Sequence, residues 1–148
     1  MLSWQEYLRQ GTVRKTEINA SRIKALVQMS NDRIRVISEI KLDAQNASIL
    51  FTNYYDALRE VCEALALLKG YKIYLHETIG LFLREILNET VIFTKFDKLR
   101  ILRNGVNYYG RAVHFNEAVQ SIEDIKQIIS ELKVKYLKDY ISQDKNKY

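Results

Sequence analysis

With 148 residues, 47% of them hydrophobic and 28% charged, the chain has the makeup of one globular domain large enough to enclose a core. Its apolar runs fall far short of the ~20 residues that cross a bilayer, and the absence of proline together with only five glycines speaks against a turn-rich β architecture. A net charge of +5 suits an anionic partner.

In chain order, Ser3-Trp4-Gln5-Glu6 has the form of a capping box, with Ser3 accepting from a backbone amide and Glu6 reaching back. Gly11 closes the short helix that follows. Thr12 to Ile18 reads as a basic connector, so residues 1–18 make an N-terminal helix and its link to the remainder. From about Ala20, the residues Ile23, Leu26, Val27, Ser30, Ile34, Ile37 and Ile40 recur at three- and four-residue steps and predict a long amphipathic helix. Asn46 is placed to cap the next one, written by Leu50, Tyr54, Ala57, Val61, Ala64, Leu65 and Leu68 up to Gly70.

A shorter helix is expected from about Leu75 to Leu87, burying Ile79, Phe82, Leu83 and Ile86. Thr94 with Asp97 suggests the start of a further helix, and Gly110 its C-terminal cap. The last helix begins between His114 and Asn116 and keeps helical spacing through Val119, Ile122, Ile125, Ile129, Leu132, Tyr136 and Tyr140. Residues 142–148 are expected to fray. No linker, repeat or low-complexity segment divides residues 1–148, so the expected fold is a single all-α domain: an up-and-down antiparallel bundle of five to six helices.

The stretch from Lys95 to His114 concentrates the charge. Lys95, Lys98, Arg100, Arg103 and Arg111 face a single acid, Asp97. On a helix turning about 100° per residue, Arg100, Arg103, Asn104, Asn107 and Arg111 share one side, while Phe96, Leu99, Leu102, Val106 and Tyr109 share the other. One face packs, and the other offers guanidinium forks and carboxamides, groups suited to phosphates, nucleobases or carboxylates.

Other chemistries find little to work with. His76, His114 and Cys62 lack ligand spacing, so neither a metal nor a cofactor is expected. Glycine-rich phosphate loops and nucleophile elbows are absent as well. The lone Cys62 allows no intramolecular disulfide, and Met1 to Gly11 reads as too polar for a secretion signal, so the expected setting is cytoplasmic. His76 reads as a structural hydrogen-bonding residue and His114 as a loop or capping residue. Tyr108 and Tyr109 read as packing residues whose hydroxyls reach the surface.

The run Leu102-Arg103-Asn104-Gly105-Val106-Asn107-Tyr108-Tyr109-Gly110 resembles the signature of HEPN domains, small helical proteins of bacteria and archaea. That signature is Arg, usually a polar residue, and a His a few residues on. Arg103 and Asn104 match its start; the His positions hold Tyr108, Tyr109 and Gly110. The run Tyr54-Tyr55-Asp56-Ala57-Leu58-Arg59-Glu60 to Gly70-Tyr71 is similar to a second HEPN segment, an aromatic-Ala-Leu-Arg-Glu helix ending at Gly-Tyr. The resemblance covers roughly Asn46 to Tyr140.

It implies a helical bundle that pairs as a homodimer through the motif helices, contact with RNA or nucleotide, and, as in many HEPN proteins, a companion nucleotidyltransferase in a toxin–antitoxin-type pair. In the ribonuclease members the motif Arg and His are linked to RNA cleavage. Arg103, Asn104 and Tyr108 are the catalytic candidates here, and Arg100, Arg103, Asn104, Asn107, Tyr108 and Arg111 the ligand-binding ones. Cleavage to a cyclic phosphate needs a base, an acid and a cation, and Tyr108, with an ordinary pKa of about 10, is a poor base near pH 7. Three functions therefore stand open: a nucleotide- or RNA-binding module at a dimer cleft, a metal-independent endoribonuclease with Arg103 as catalytic cation, and a non-catalytic dimeric interaction protein.

Overall fold

The computed structural model describes residues 2–141; the tail at 142–148 lies outside them. The chain is predominantly helical. Its helices are α1 (Trp4–Gln10), α2 (Ala20–Ser38), α3 (Ala47–Leu68), α4 (Glu77–Leu81), α5 (Thr90–Tyr109), α6 (Phe115–Tyr136) and α7 (Lys138–Ile141), and two strands, β1 (Val13–Lys15) and β2 (Tyr71–Ile73), join them. None of the helices is long and apolar enough to cross a membrane.

Helix α3 is central because it is apolar around most of its circumference. Leu50, Phe51, Tyr54, Tyr55, Leu58, Val61, Cys62 and Leu65 are all buried, and a helix of that character has to be enclosed by others. Helix α2 covers it with Ile23, Val27 and Ile37, and α6 with Ile125, Ile129 and Leu132. Ser30 Oγ donates to the Ala57 carbonyl at 2.8 Å and Arg33 reaches Asn53, so α2 and α3 run in opposite senses. Helix α6 runs with α3: Val113 N–H meets Ser48 near both starts, and Lys69 meets the Tyr136 ring near both ends. Glu89, just before α5, accepts from Tyr136 at the end of α6, which sets α5 against α6.

The Ser3/Glu6 capping box forms, with bonds of 3.2 and 2.7 Å, and Gly11 and Gly110 take left-handed backbone at φ 78° and 64°. Four local expectations change. Residues 13–15 of the connector pair antiparallel with residues 71–73, because Val13 is buried and the connector's backbone groups find partners there: Thr16 N–H to Gly70 O at 2.9 Å and Tyr74 N–H to Thr12 O at 3.1 Å. The Asn46 side chain makes no helix cap; its Oδ1 accepts from the Asp43 N–H at 2.8 Å, closing the preceding turn.

The span expected as one helix to Leu87 is α4 followed by a π-helical turn over Phe82–Ile86. Helix α5 starts at Thr90, where Thr94 Oγ1 donates to the Thr90 carbonyl and Asp97 pairs with Arg100 instead of capping. The final helix is interrupted at Leu137, whose fully buried side chain is followed by α7.

The Tyr55 hydroxyl is buried with no hydrogen-bond partner, and burial pushes the phenol well above its usual pKa. Leaving such a group unsatisfied costs about 1–3 kcal/mol. Tyr55→Phe, which keeps the ring, is therefore expected to stabilise the fold by about 1 kcal/mol, whereas Phe96→Ala should cost about 3–5 kcal/mol; urea unfolding followed by circular dichroism measures both.

Candidate functional site

Burial of Phe96, Leu99 and Leu102 locks the rotation of α5 and turns Arg100, Arg103 and Asn104 toward one side. Facing them is the segment that leaves β2 and enters α4, residues Tyr74 to Glu77. Between these two banks lies a cleft of about 430 Å³, to which α5 contributes Arg100, Arg103, Asn104 and Tyr108.

The best-positioned group in the cleft is Arg103. Its guanidinium carbon sits 5.7 Å from the centroid of the Tyr55 ring and 6.0 Å from that of Tyr108. With the Asn107 carboxamide turned so that its oxygen faces the arginine, that oxygen accepts from Nε at 2.9 Å and from Nη2 at 3.2 Å. Neighbouring arginines are neutralised: Arg100 by Asp97 at 3.0 Å, Arg59 by Glu63 at 2.8 Å, Arg111 by Glu117 at 3.1 Å. Arg103 makes no ion pair among the described residues. It is a half-buried cation, held by aromatic faces and one amide, with its charge left over for something else.

The second bank brings in residues that spacing along α5 does not reveal. His76 occupies the N-cap position of α4 without capping it, and its ring packs 6.4 Å from that of Tyr55. It was expected to make a structural hydrogen bond; instead its ring nitrogens bond to no group among the described residues, because the ring is held by its faces. Burial lowers the pKa of His76 below the ordinary 6.5, and the charges of Arg59 and Arg103 push it the same way against a weaker opposing pull from Asp56. The imidazole is thus neutral at pH 7 and free to accept a proton. Glu77, the acid of the cleft, accepts from the Tyr7 hydroxyl at 3.1 Å.

Four of the six sequence candidates therefore meet in one place: Arg100, Arg103, Asn104 and Tyr108. Asn107 reaches the cleft only through Arg103. Arg111 does not reach it: beyond the left-handed Gly110 the chain turns back, and the Arg111 side chain lies against Gly105 on its way to Glu117. Tyr109, expected on the packing face, is 84% exposed because it follows the last buried turn of α5; Tyr108 is exposed for the same reason. His114 sits at the N-cap position of α6, exposed and without a side-chain capping bond. His76, Glu77 and Tyr74 were missed as partners of Arg103, and the one local hint is a polar His-Glu pair directly after an apolar Ile-Tyr-Leu run. No group of His, Cys, Asp and Glu that could hold a metal ion exists among the described residues.

No family model, no curated protein and no solved structure matches the chain.

The lowered pKa of His76 has a stability consequence. In the folded chain the imidazole binds a proton less readily than in the unfolded one, so the unfolded state takes up more protons as the pH falls through 6.5. The contribution is fully present above that pH and declines below it. The urea midpoint of the wild type is expected to drop further between neutral and mildly acidic pH than that of His76→Gln.

Proposed function

We propose that this chain is a HEPN-like module that binds RNA or nucleotide in the Arg103 cleft. The observation that carries the reading is the unpaired, half-buried Arg103 guanidinium facing a concave space. A planar guanidinium matches phosphate oxygens in a bidentate geometry, and Arg100 lies one turn away on the same bank. Asn104 offers both a donor and an acceptor to a base edge. The exposed Tyr108 ring supplies a stacking face, and the Glu77 carboxylate can accept from a sugar hydroxyl. In this reading two copies pair in the cytoplasm through α5, whose outward side carries the exposed Val91, Ile101 and Tyr109; the companion nucleotidyltransferase follows from the HEPN resemblance alone.

A specific observation favours a second reading, a metal-independent endoribonuclease. His76 stands in the same cleft as Arg103 with both ring nitrogens unengaged, and a neutral imidazole can take the proton of a 2′-hydroxyl while Arg103 offsets charge on the phosphate. The proton carrier that the HEPN signature places on α5 is then supplied by the opposite bank. In the third reading the α5 face only builds a dimer.

RNA binding measured by fluorescence anisotropy separates these. Arg103→Ala is expected to weaken binding roughly tenfold to hundredfold with the unfolding midpoint little changed, and Arg103→Lys to restore it only in part, since an ammonium lacks the fork. Stable monomers with unaltered RNA affinity would instead assign the face to dimerisation. In a cleavage assay on the same samples, the ribonuclease reading requires that His76→Gln abolish cleavage while retaining binding. Intact RNA with every protein leaves the binding module.

A further inference from the structure

The β1–β2 ribbon carries a charge arrangement that the cleft does not explain. Arg14 and Lys72 are direct cross-strand partners, and both are exposed. Like charges facing each other across a strand pair are destabilising, yet neither has an ion-pair partner among the described residues, and the exposed Lys15 adjoins them. Each places its charged group 5.3 Å from the centroid of the same ring, that of Tyr74. Tyr74, half exposed, also lines the Arg103 cleft. A two-cation platform on an aromatic ring thus continues directly from the edge of the cleft.

We infer that this ribbon is a second phosphate site and that the ligand is a single strand of RNA long enough to lie in the cleft and across Tyr74, not a free mononucleotide. The inference rests on the RNA- or nucleotide-binding reading and names its substrate class. At about 430 Å³ the cleft is at the small end of single-ligand sites, which run from about 300 to 1,000 Å³, so it accommodates one nucleotide unit and the chain of phosphates must leave it. Tyr74 lies at the exit, with Arg14 and Lys72 over its ring. Stacking on that ring needs an unpaired base, and a positive groove with interleaved aromatics is the arrangement that tracks a single strand without reading its sequence. The unfavourable opposition of Arg14 and Lys72 is relieved when a phosphate sits between them.

The test uses the full chain, fluorescein-labelled oligouridylates of increasing length, and uridine 5′-monophosphate as competitor. The longer oligouridylates are expected to bind at least about tenfold more tightly than the monophosphate. The double variant Arg14→Ala/Lys72→Ala, whose altered side chains are both exposed, should fold as the wild type by circular dichroism and keep its affinity for the monophosphate. It should lose most of the gain with length, and its logarithmic salt slope should shrink by about 1.4, since each single-strand phosphate contact contributes about 0.7. Tyr74→Ala should lower oligouridylate affinity with the slope unchanged.

Oligouridylate binding that depends on Arg103 but keeps its affinity and slope in the double variant overturns the ribbon site and leaves the cleft reading standing. Equal affinity for an RNA duplex overturns it as well. A wild type that binds neither the oligouridylates nor the monophosphate at low salt sinks the cleft reading itself.

Discussion

The ring of Tyr55 is fully buried in α3 and is used on several sides at once. Phe96 stacks against it at 5.9 Å, His76 packs at 6.4 Å, and the Arg103 guanidinium lies over it at 5.7 Å. One aromatic group therefore belongs to the core and forms the floor of the cleft. Because packed interiors yield little, the positions of Arg103 and His76 are set by the same contacts that hold α5 on α3. The buried hydroxyl without a partner is the cost of this double use.

Charge pairing around that ring is selective. Helix α3 carries Arg59 between Asp56 and Glu63, and α2 sends Arg33 to the buried Glu60 at 2.6 Å. These pairs satisfy partly buried cations where nothing else can. On α5 the same device is applied to Arg100 and withheld from Arg103, one turn later. A half-buried guanidinium held by aromatic faces and an amide is pre-oriented, so little side-chain freedom remains to be lost when an anion arrives. His76 contributes no competing positive charge at neutral pH, because burial and the two nearby arginines keep it deprotonated.

The second bank of the cleft depends on backbone geometry. Gly11 and Gly70 both adopt positive φ, 78° and 84°, a region that side chains with a Cβ rarely enter. They turn the chain into and out of the ribbon. Pairing of β1 with β2 then fixes where Tyr74 and His76 emerge opposite α5. The π-helical turn after α4 shifts the chain before α5 begins, and the bond from Leu87 N–H to Phe82 O at 3.1 Å closes it. The ribbon, the short helix and the long helix thus act as one frame around the cleft.

The helices, their approximate limits and the glycine stops at Gly11 and Gly110 were legible in the chain itself, because helical periodicity and capping act over a few residues. For the same reason the amino-acid order showed Arg100, Arg103 and Asn104 on one face of α5, with Phe96, Leu99 and Leu102 behind them. It did not show the β1–β2 ribbon, since Val13 and Ile73 meet only through tertiary packing and three residues are too few for a strand pattern. Nor did it show that Arg111 leaves the face: a left-handed Gly110 ends a helix visibly, but the direction the chain takes afterwards is set by Glu117 and Gly105. The pairing of Arg100 and the freedom of Arg103 were decided by which carboxylates the packing brings near. The placement of His76 beside Arg103 was decided by the ribbon and α4, elements distant in the chain that come together because both pack on the buried ring of Tyr55.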